Sequence, residues 1–295
     1  MYNEAALALP RVVAERDTQE METAVAAFIR EIKYLRGLSP ETVNSYISAI
    51  RAFLRYAGVV YPRDITLNAV HNWSEHLATI GISTGARSTY LVGIRQFCIF
   101  LNRSGLITVD PRDIIIPKRH DAPRRFVTKE QVDKMILAAG SYRDKAIVSL
   151  LFTSGIRCNE LVNLNIDDIK GDEFVVKGKG GKVRPCYLSD LTAHYLRLYL
   201  AQRDTVNPAL FIGTRKRLRL SDTQIRKIVR EVGELAGIYD AHPHMLRHGF
   251  ATHLLNNGCD IESLRKLMGH SQISTTQRYL HVLDKGLRET HHKYF

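Results

Sequence analysis

The sequence predicts a mainly α-helical protein in two parts. An N-terminal four-helix domain precedes a mostly α C-terminal domain with a small β-hairpin or sheet. Three observations lead there. Apolar residues recur at helical spacing through most of the 295 residues. Prolines and basic side chains crowd into one aperiodic stretch near the middle. A single pair of β-rich runs flanks the turn Gly178-Lys179-Gly180-Gly181. The length suits two domains of about 100–200 residues each, and 45% hydrophobic against 24% charged residues is enough to build buried cores.

Taken in chain order, residues 1–19 show mixed charge without a clear period and read as a tail or a short extra helix. The apolar set Val25, Phe28, Ile29, Ile32 and Leu35 is a helical stripe that Gly37 ends. Ser39-Pro40 restarts the chain as an N-cap with proline at the first helical position, and Val43, Tyr46, Ile47, Ile50, Phe53 and Leu54 follow. A third stripe runs Leu67, Val70, Trp73, Leu77, and a fourth Tyr90, Leu91, Ile94, Phe97, Leu101. Residues 20–110 therefore form the helical domain. The run 111–125, PRDIIIPKRHDAPRR, reads as a basic linker, because proline breaks helices and restricts the residue before it. Thr128 with Gln131 makes a capping box that opens the second domain, 126–295. Helices follow around Val132–Ala139 and Ile147–Leu151, then a hairpin from Glu173–Lys177 and Val183–Leu188. The pattern is helical again at Tyr195–Leu200, Ile225–Leu235, Met245–Leu255 and Ile261–Met268.

Charge and cysteine content narrow the function. The 42 Lys and Arg against 30 Asp and Glu leave a net charge of +12, which suits a polyanionic partner. Arg36, Arg51, Arg55, Arg87, Arg95 and Arg103 lie scattered among the first domain's stripes, and as a set would suit phosphate contacts. The cluster Arg215-Lys216-Arg217-Leu218-Arg219 reads either as a nucleic-acid-facing loop or as a solvated charge run. The four cysteines lie far apart, which excludes a dense disulfide framework and fits a reducing cytoplasm. No apolar run reaches the roughly 18–20 residues of a membrane span, and the first residues lack the form of a secretory signal. A cytoplasmic location is expected.

Four segments of the second domain concentrate unusual residues. They are Thr153–Leu161 (TSGIRCNEL), Lys177–Lys182 (KGKGGK), His242–Gly249 (HPHMLRHG), and Gly269-His270 followed nine residues on by Tyr279. Singly each is weak, since an Arg three residues before a Glu on a helix is commonly a surface ion pair. Together and in this order they resemble the tyrosine recombinase, or phage integrase, family, most of all its Xer-type members. The likeness covers about residues 20–295 and is most specific over His244–Leu255 (HMLRHGFATHLL) and Met268–Tyr279. One departure is Leu280 after Tyr279, where Xer-type members commonly carry threonine.

The resemblance implies a catalytic set of Arg157, Lys179, His244, Arg247, His270 and Tyr279, with Tyr279 as nucleophile. It implies a DNA-clamping role for residues 20–110 and catalysis in 126–295. Physical need agrees with the residue types. Planar guanidiniums stay charged and bind two non-bridging phosphate oxygens at once, the role implied for Arg157 and Arg247. His244, three residues before Arg247, is placed to hydrogen-bond the phosphate or manage the nucleophile's proton. Lys179, between two glycines at a hairpin tip, matches the general acid for the departing 5′-oxygen, with Lys177 and Lys182 as competitors. His270 would add a hydrogen bond to the phosphate. A phenol with pKa near 10 needs such cationic neighbours to attack. Glu160 reads as a support for Arg157 or as a plain surface pair. His244 and His248, with His242 and His253 nearby, lack a third ligand at metal spacing, so no metal site is expected. The resemblance calls for neither metal nor nucleotide cofactor.

The implied function is site-specific recombination through a 3′-phosphotyrosine, on double-stranded DNA with paired inverted arms. The expected assembly is a homotetramer on two sites, or a heterotetramer with a paralogue, joined by exchange of the C-terminal segment. Residues 1–19 are too short for the extra arm-binding domain of some integrases, which favours an Xer-type role in chromosome or plasmid dimer resolution. The alternatives are a minimal integrase of a mobile element, a type IB topoisomerase, and a non-catalytic DNA-binding protein.

Overall fold

The computed structural model describes residues 11–118 (side chains from 19), 125–178, 181, 183–203, 206–215 and 217–269. The chain divides into two compact units, Met1–Ala122 and Pro123–Phe295.

The first unit is built on α1 (Arg11–Arg30), α2 (Pro40–Ala57), α3 (Leu67–Thr79) and α4 (Thr84–Arg103). Here α1 runs back to Arg11, through part of the segment read from sequence as a tail or short extra helix. A wide helical turn, Glu31–Leu35, ends it. Ser39 caps α2, its Oγ accepting from the Thr42 N–H, with Pro40 in the first turn. The apolar stripes meet in a core of Phe28, Ile50, Phe53, Trp73, Ile94 and Phe97, where Phe53 and Trp73 stand edge to face at 5.5 Å. Four of the arginines noted above have protein partners. Arg36 donates to Gln96, Arg87 to Thr84, Arg95 to the Ile114 carbonyl and Arg103 to Glu31. The start of the run read as a linker is folded: Pro111 is buried, Ile114 belongs to this core, and Ser88 Oγ donates to the Pro117 carbonyl at 2.6 Å. Prolines and charges alone concealed that packing.

The second unit opens at α5 (Lys129–Ala138), where Thr128 and Gln131 form the expected capping box. Helix α6 (Tyr142–Ser154) is buried through Ala146–Phe152 and forms the centre of the core, so its apolar residues surround the helix rather than one stripe. After α7 (Cys158–Asn163) comes an antiparallel sheet in the order β1 (Ile169–Lys170), β2 (Glu173–Lys177), β3 (Val183–Tyr187). Strand β1, two residues long, carries no readable period. In the β2–β3 register Phe174 pairs with Cys186 and Val176 with Arg184, and these four face inward. Helices α8 (Asp190–Ala201), α9 (Asp222–Leu235), α10 (Pro243–Asn256) and α11 (Ile261–Met268) complete the described part. No helix among the described residues is long and apolar enough to cross a membrane.

Candidate active site

Arg157 is the N-cap of α7, in extended backbone. Glu160, at the third position of that helix, reaches back: its Oε2 accepts from the Arg157 backbone N–H at 2.7 Å and its Oε1 from the Arg157 guanidinium at 2.9 Å. The two readings left open for Glu160 are thereby decided. Its side chain is only 4% exposed, whereas Arg157 remains 36% exposed. This is a buried carboxylate holding a half-open guanidinium, not a surface pair.

A second arginine that the motif reading missed completes the arrangement. Arg184 of β3 points inward and pairs bidentately with Glu160, both bonds 2.8 Å, and its Nε donates to the Leu267 carbonyl at 2.9 Å. Burial alone would raise the Glu160 carboxyl. The hydrogen bonds from Arg184 and from the Arg157 N–H, with both guanidinium charges, instead hold it down to about 2. The signal was present in the strand: an arginine at an inward position of an alternating run requires a buried acidic partner.

Arg247 lies on α10, 5% exposed, and donates to the Gly155 carbonyl and to the Met268 carbonyl. Both acceptors are carbonyls that close helices α6 and α11, groups a helix end leaves unsatisfied. Gly155 and Gly269 end those helices at φ +59° and +62°. A Cβ at Gly155 would lie 2.3 Å from the Phe250 ring, and one at Gly269 would lie 2.8 Å from Arg184 Cδ. Glycine thus lets the end of α6 close on Phe250 of α10, and the end of α11 close on Arg184. Arg184 and Arg247 grip consecutive carbonyls, Leu267 and Met268, at the end of α11.

His244 sits in the first turn of α10. Desolvation lowers its pKa below the ordinary 6.5, and the positive charges of Arg226, Arg247, His242 and Arg157 lower it further. The shift favours the neutral imidazole, which is able to accept a proton. Arg226 and Asp222 of α9, joined at 2.6 Å, both act electrostatically on His244. Sequence reasoning missed them because an i, i+4 acid–base pair on a helix looks like ordinary surface support.

The structure thus brings Arg157, His244 and Arg247 together. Lys179, His270 and Tyr279, with Lys182, lie outside the described residues. Arg219, read as part of a basic loop, turns inward and donates to the carbonyls of Val162 and Leu164 at 2.7 and 2.8 Å. His253 packs beside the Phe152 ring at 5.9 Å. Among the described residues no three His, Cys, Asp or Glu side chains group as metal ligands would.

Residues 125–285 match the model of the phage integrase family, and residues 25–115 match that of the phage integrase N-terminal SAM-like domain. The chain belongs to the phage integrase family. It is 32% identical to tyrosine recombinase XerD of Oceanobacillus iheyensis over 293 residues, covering 93% of this chain and 98% of that one. The likeness to XerC of Thermodesulfovibrio yellowstonii is also 32%, over 91% of this chain and 95% of the relative. Among solved structures, that of XerA recombinase is 29% identical with a TM-score of 0.53, covering 93% of this chain and 99% of the other. XerH bound to a palindromic difH substrate, 19% identical, shares the fold at a TM-score of 0.72, covering 97% and 89%. This integrase-family chain is a tyrosine recombinase, an enzyme of site-specific recombination that cuts and rejoins DNA.

Proposed function

We propose that Arg157, Lys179, His244, Arg247, His270 and Tyr279 carry the reaction. Arg157 and Arg247 bind the non-bridging oxygens of the scissile phosphate and neutralise the charge that accumulates there as the phenol attacks. Tyr279 Oη forms a bond to phosphorus while the bond to the 5′-oxygen breaks. The phenolic proton passes to the neutral His244, and the departing 5′-oxygen takes a proton from Lys179. His270 donates to the phosphate. The product is a 3′-phosphotyrosine and a free 5′-hydroxyl, and attack by a 5′-hydroxyl of another strand reverses it. The observation that supports this reading best is the convergence of three separate motif segments: the Arg157 helix, the start of α10 and the end of α11 are bonded to one another through arginines.

We further propose an Xer-type role, the resolution of chromosome or plasmid dimers in the cytoplasm by a tetramer on two DNA sites with inverted arms. The chain matches XerC and XerD relatives over nearly their whole lengths. Related chains have been solved as a lambda integrase tetramer on a Holliday junction and as XerH on difH. The test begins with protection mapping on DNA of the source genome, then places two directly repeated copies of the mapped site in a supercoiled plasmid. Resolution into two circles is the expected outcome. Relaxation of plasmid lacking the site, without recombination, would instead indicate a topoisomerase, and joining of separate circles without resolution an integrase.

A further inference from the structure

We propose that Arg184 is a positioning residue for recombination, keeping the Arg157 guanidinium available to the scissile phosphate by occupying Glu160. The inference rests on the reading of Arg157 as a phosphate ligand. The geometry of the carboxylate carries it. Glu160 Oε1 accepts one bond from Arg157 and one from Arg184, at 2.9 and 2.8 Å. Oε2 accepts one from the Arg157 backbone N–H and one from Arg184, at 2.7 and 2.8 Å. Four donors saturate a carboxylate. Arg157 therefore bonds Glu160 through a single terminal nitrogen, and its side chain stays 36% exposed.

Without Arg184 the balance changes. Glu160 is too buried to find water easily, its side chain being 4% exposed. A buried carboxylate stripped of one cation seeks another, because an uncompensated charge there is costly. The nearest is Arg157, which would turn its fork onto Glu160 and away from the phosphate. Arg184 also fixes two other parts of the site. It stands on β3, the strand leaving the hairpin that bears Lys179, and its Nε holds the Leu267 carbonyl two residues before Gly269. One buried side chain thereby sets the spacing between the α7 start, the base of the hairpin and the end of α11. Side chains that orient a reacting group through hydrogen bonds act by holding its geometry, and small misplacements are expensive in rate.

The test uses the full chain and a nicked suicide duplex carrying the protection-mapped site. Arg184→Gln should cleave at least about tenfold more slowly at saturating duplex, with a much smaller change in Kd. The double variant Arg184→Gln/Glu160→Gln should recover much of that loss, since a neutral amide no longer captures Arg157. A residue that merely supports the fold predicts the opposite, with the double variant as slow as the single or slower. Circular dichroism and thermal melting check that each variant folds. Should Arg184→Gln not fold, Arg184→Lys carries the same test: one ammonium cannot span both oxygens, so a position on Glu160 is freed for the Arg157 fork and cleavage should again slow. A folded Arg184 variant cleaving within about twofold of the wild type, or a double variant no faster than the single, overturns the proposal. A wild-type chain that forms no adduct on the duplex overturns the reading of Arg157 beneath it, an outcome distinct from either.

Discussion

Burial of His244, and after it the positive charges of Arg226, Arg247, His242 and Arg157, fix the sign of its titration. Its NMR midpoint in the DNA-free chain should lie below 6.5 and rise on binding duplex, because a phosphodiester anion favours the imidazolium. A DNA-free midpoint above 6.5 would contradict the environment described. Since the unfolded chain binds this proton more readily than the folded one, stability should fall as pH drops below the ordinary histidine value, and His244→Gln should remove that part of the dependence. Glu160 has its own window. Its carboxyl is depressed in the folded state, so its contribution is fully present above about 4.5 and is lost as pH falls toward about 2. At the phosphate, Arg247→Lys should slow cleavage more than tenfold, about 1.4 kcal/mol of barrier, although the charge is kept. A lysine can neither present a planar fork nor bridge the Gly155 and Met268 carbonyls as Arg247 does. Single-turnover rates on a suicide duplex decide it, and a wild-type rate would remove the bidentate role.

Helix ends, rather than helix faces, build this site, and that governs the predictions at the scale of elements. Gly155→Ala should destabilise the chain by about 1–3 kcal/mol in denaturant melts, through left-handed strain and overlap with the Phe250 ring. Unchanged stability would mean that α6 does not need its close approach to α10. For the hairpin, Lys179→Ala should slow cleavage of a normal 5′-oxygen leaving group far more than that of a 5′-bridging phosphorothiolate, which departs without a proton. Equal slowing would leave Lys179 as a phosphate contact only and pass the acid role to Lys182 or Lys177. What the sequence disclosed follows from the same geometry. The apolar periods of α2, α3, α4 and α9, the Thr128 capping box and the β2–β3 hairpin were readable because each is encoded by local spacing. The sites of Arg157, His244 and Arg247 were readable as motifs. The pairing of Glu160 with Arg184 was not, since the strand's alternation shows that Arg184 needs a partner but not that the partner lies 24 residues away. Arg219 misled for a similar reason: a run of charges does not show which member turns back onto the protein's own carbonyls. The folded stretch after Pro111 was hidden because its anchor is one buried isoleucine, Ile114, among prolines and arginines.

Residues 283–295, which lie outside the described part, carry Leu283, Leu287, Tyr294 and Phe295 beyond Tyr279, and a segment donated to a neighbouring protomer would bury them. Removing Lys285–Phe295 should leave binding of a single arm intact while weakening assembly on paired sites, as seen in mobility-shift assays, and should unbalance cleavage between subunits. Recombination at the wild-type level by the truncated chain would end that idea. The central claim is narrower and more direct, that DNA is cut by covalent transfer to Tyr279. Its most direct measurement is the covalent adduct trapped on a nicked suicide duplex, with the attached peptide mapped by mass spectrometry. The account predicts that the wild-type adduct carries the 3′-phosphate on Tyr279. It also predicts that Tyr279→Phe yields no adduct while binding the same duplex within about twofold, since one hydroxyl contributes little to a phosphate interface. An adduct formed by Tyr279→Phe, or a wild-type adduct mapped to any other residue, would contradict it.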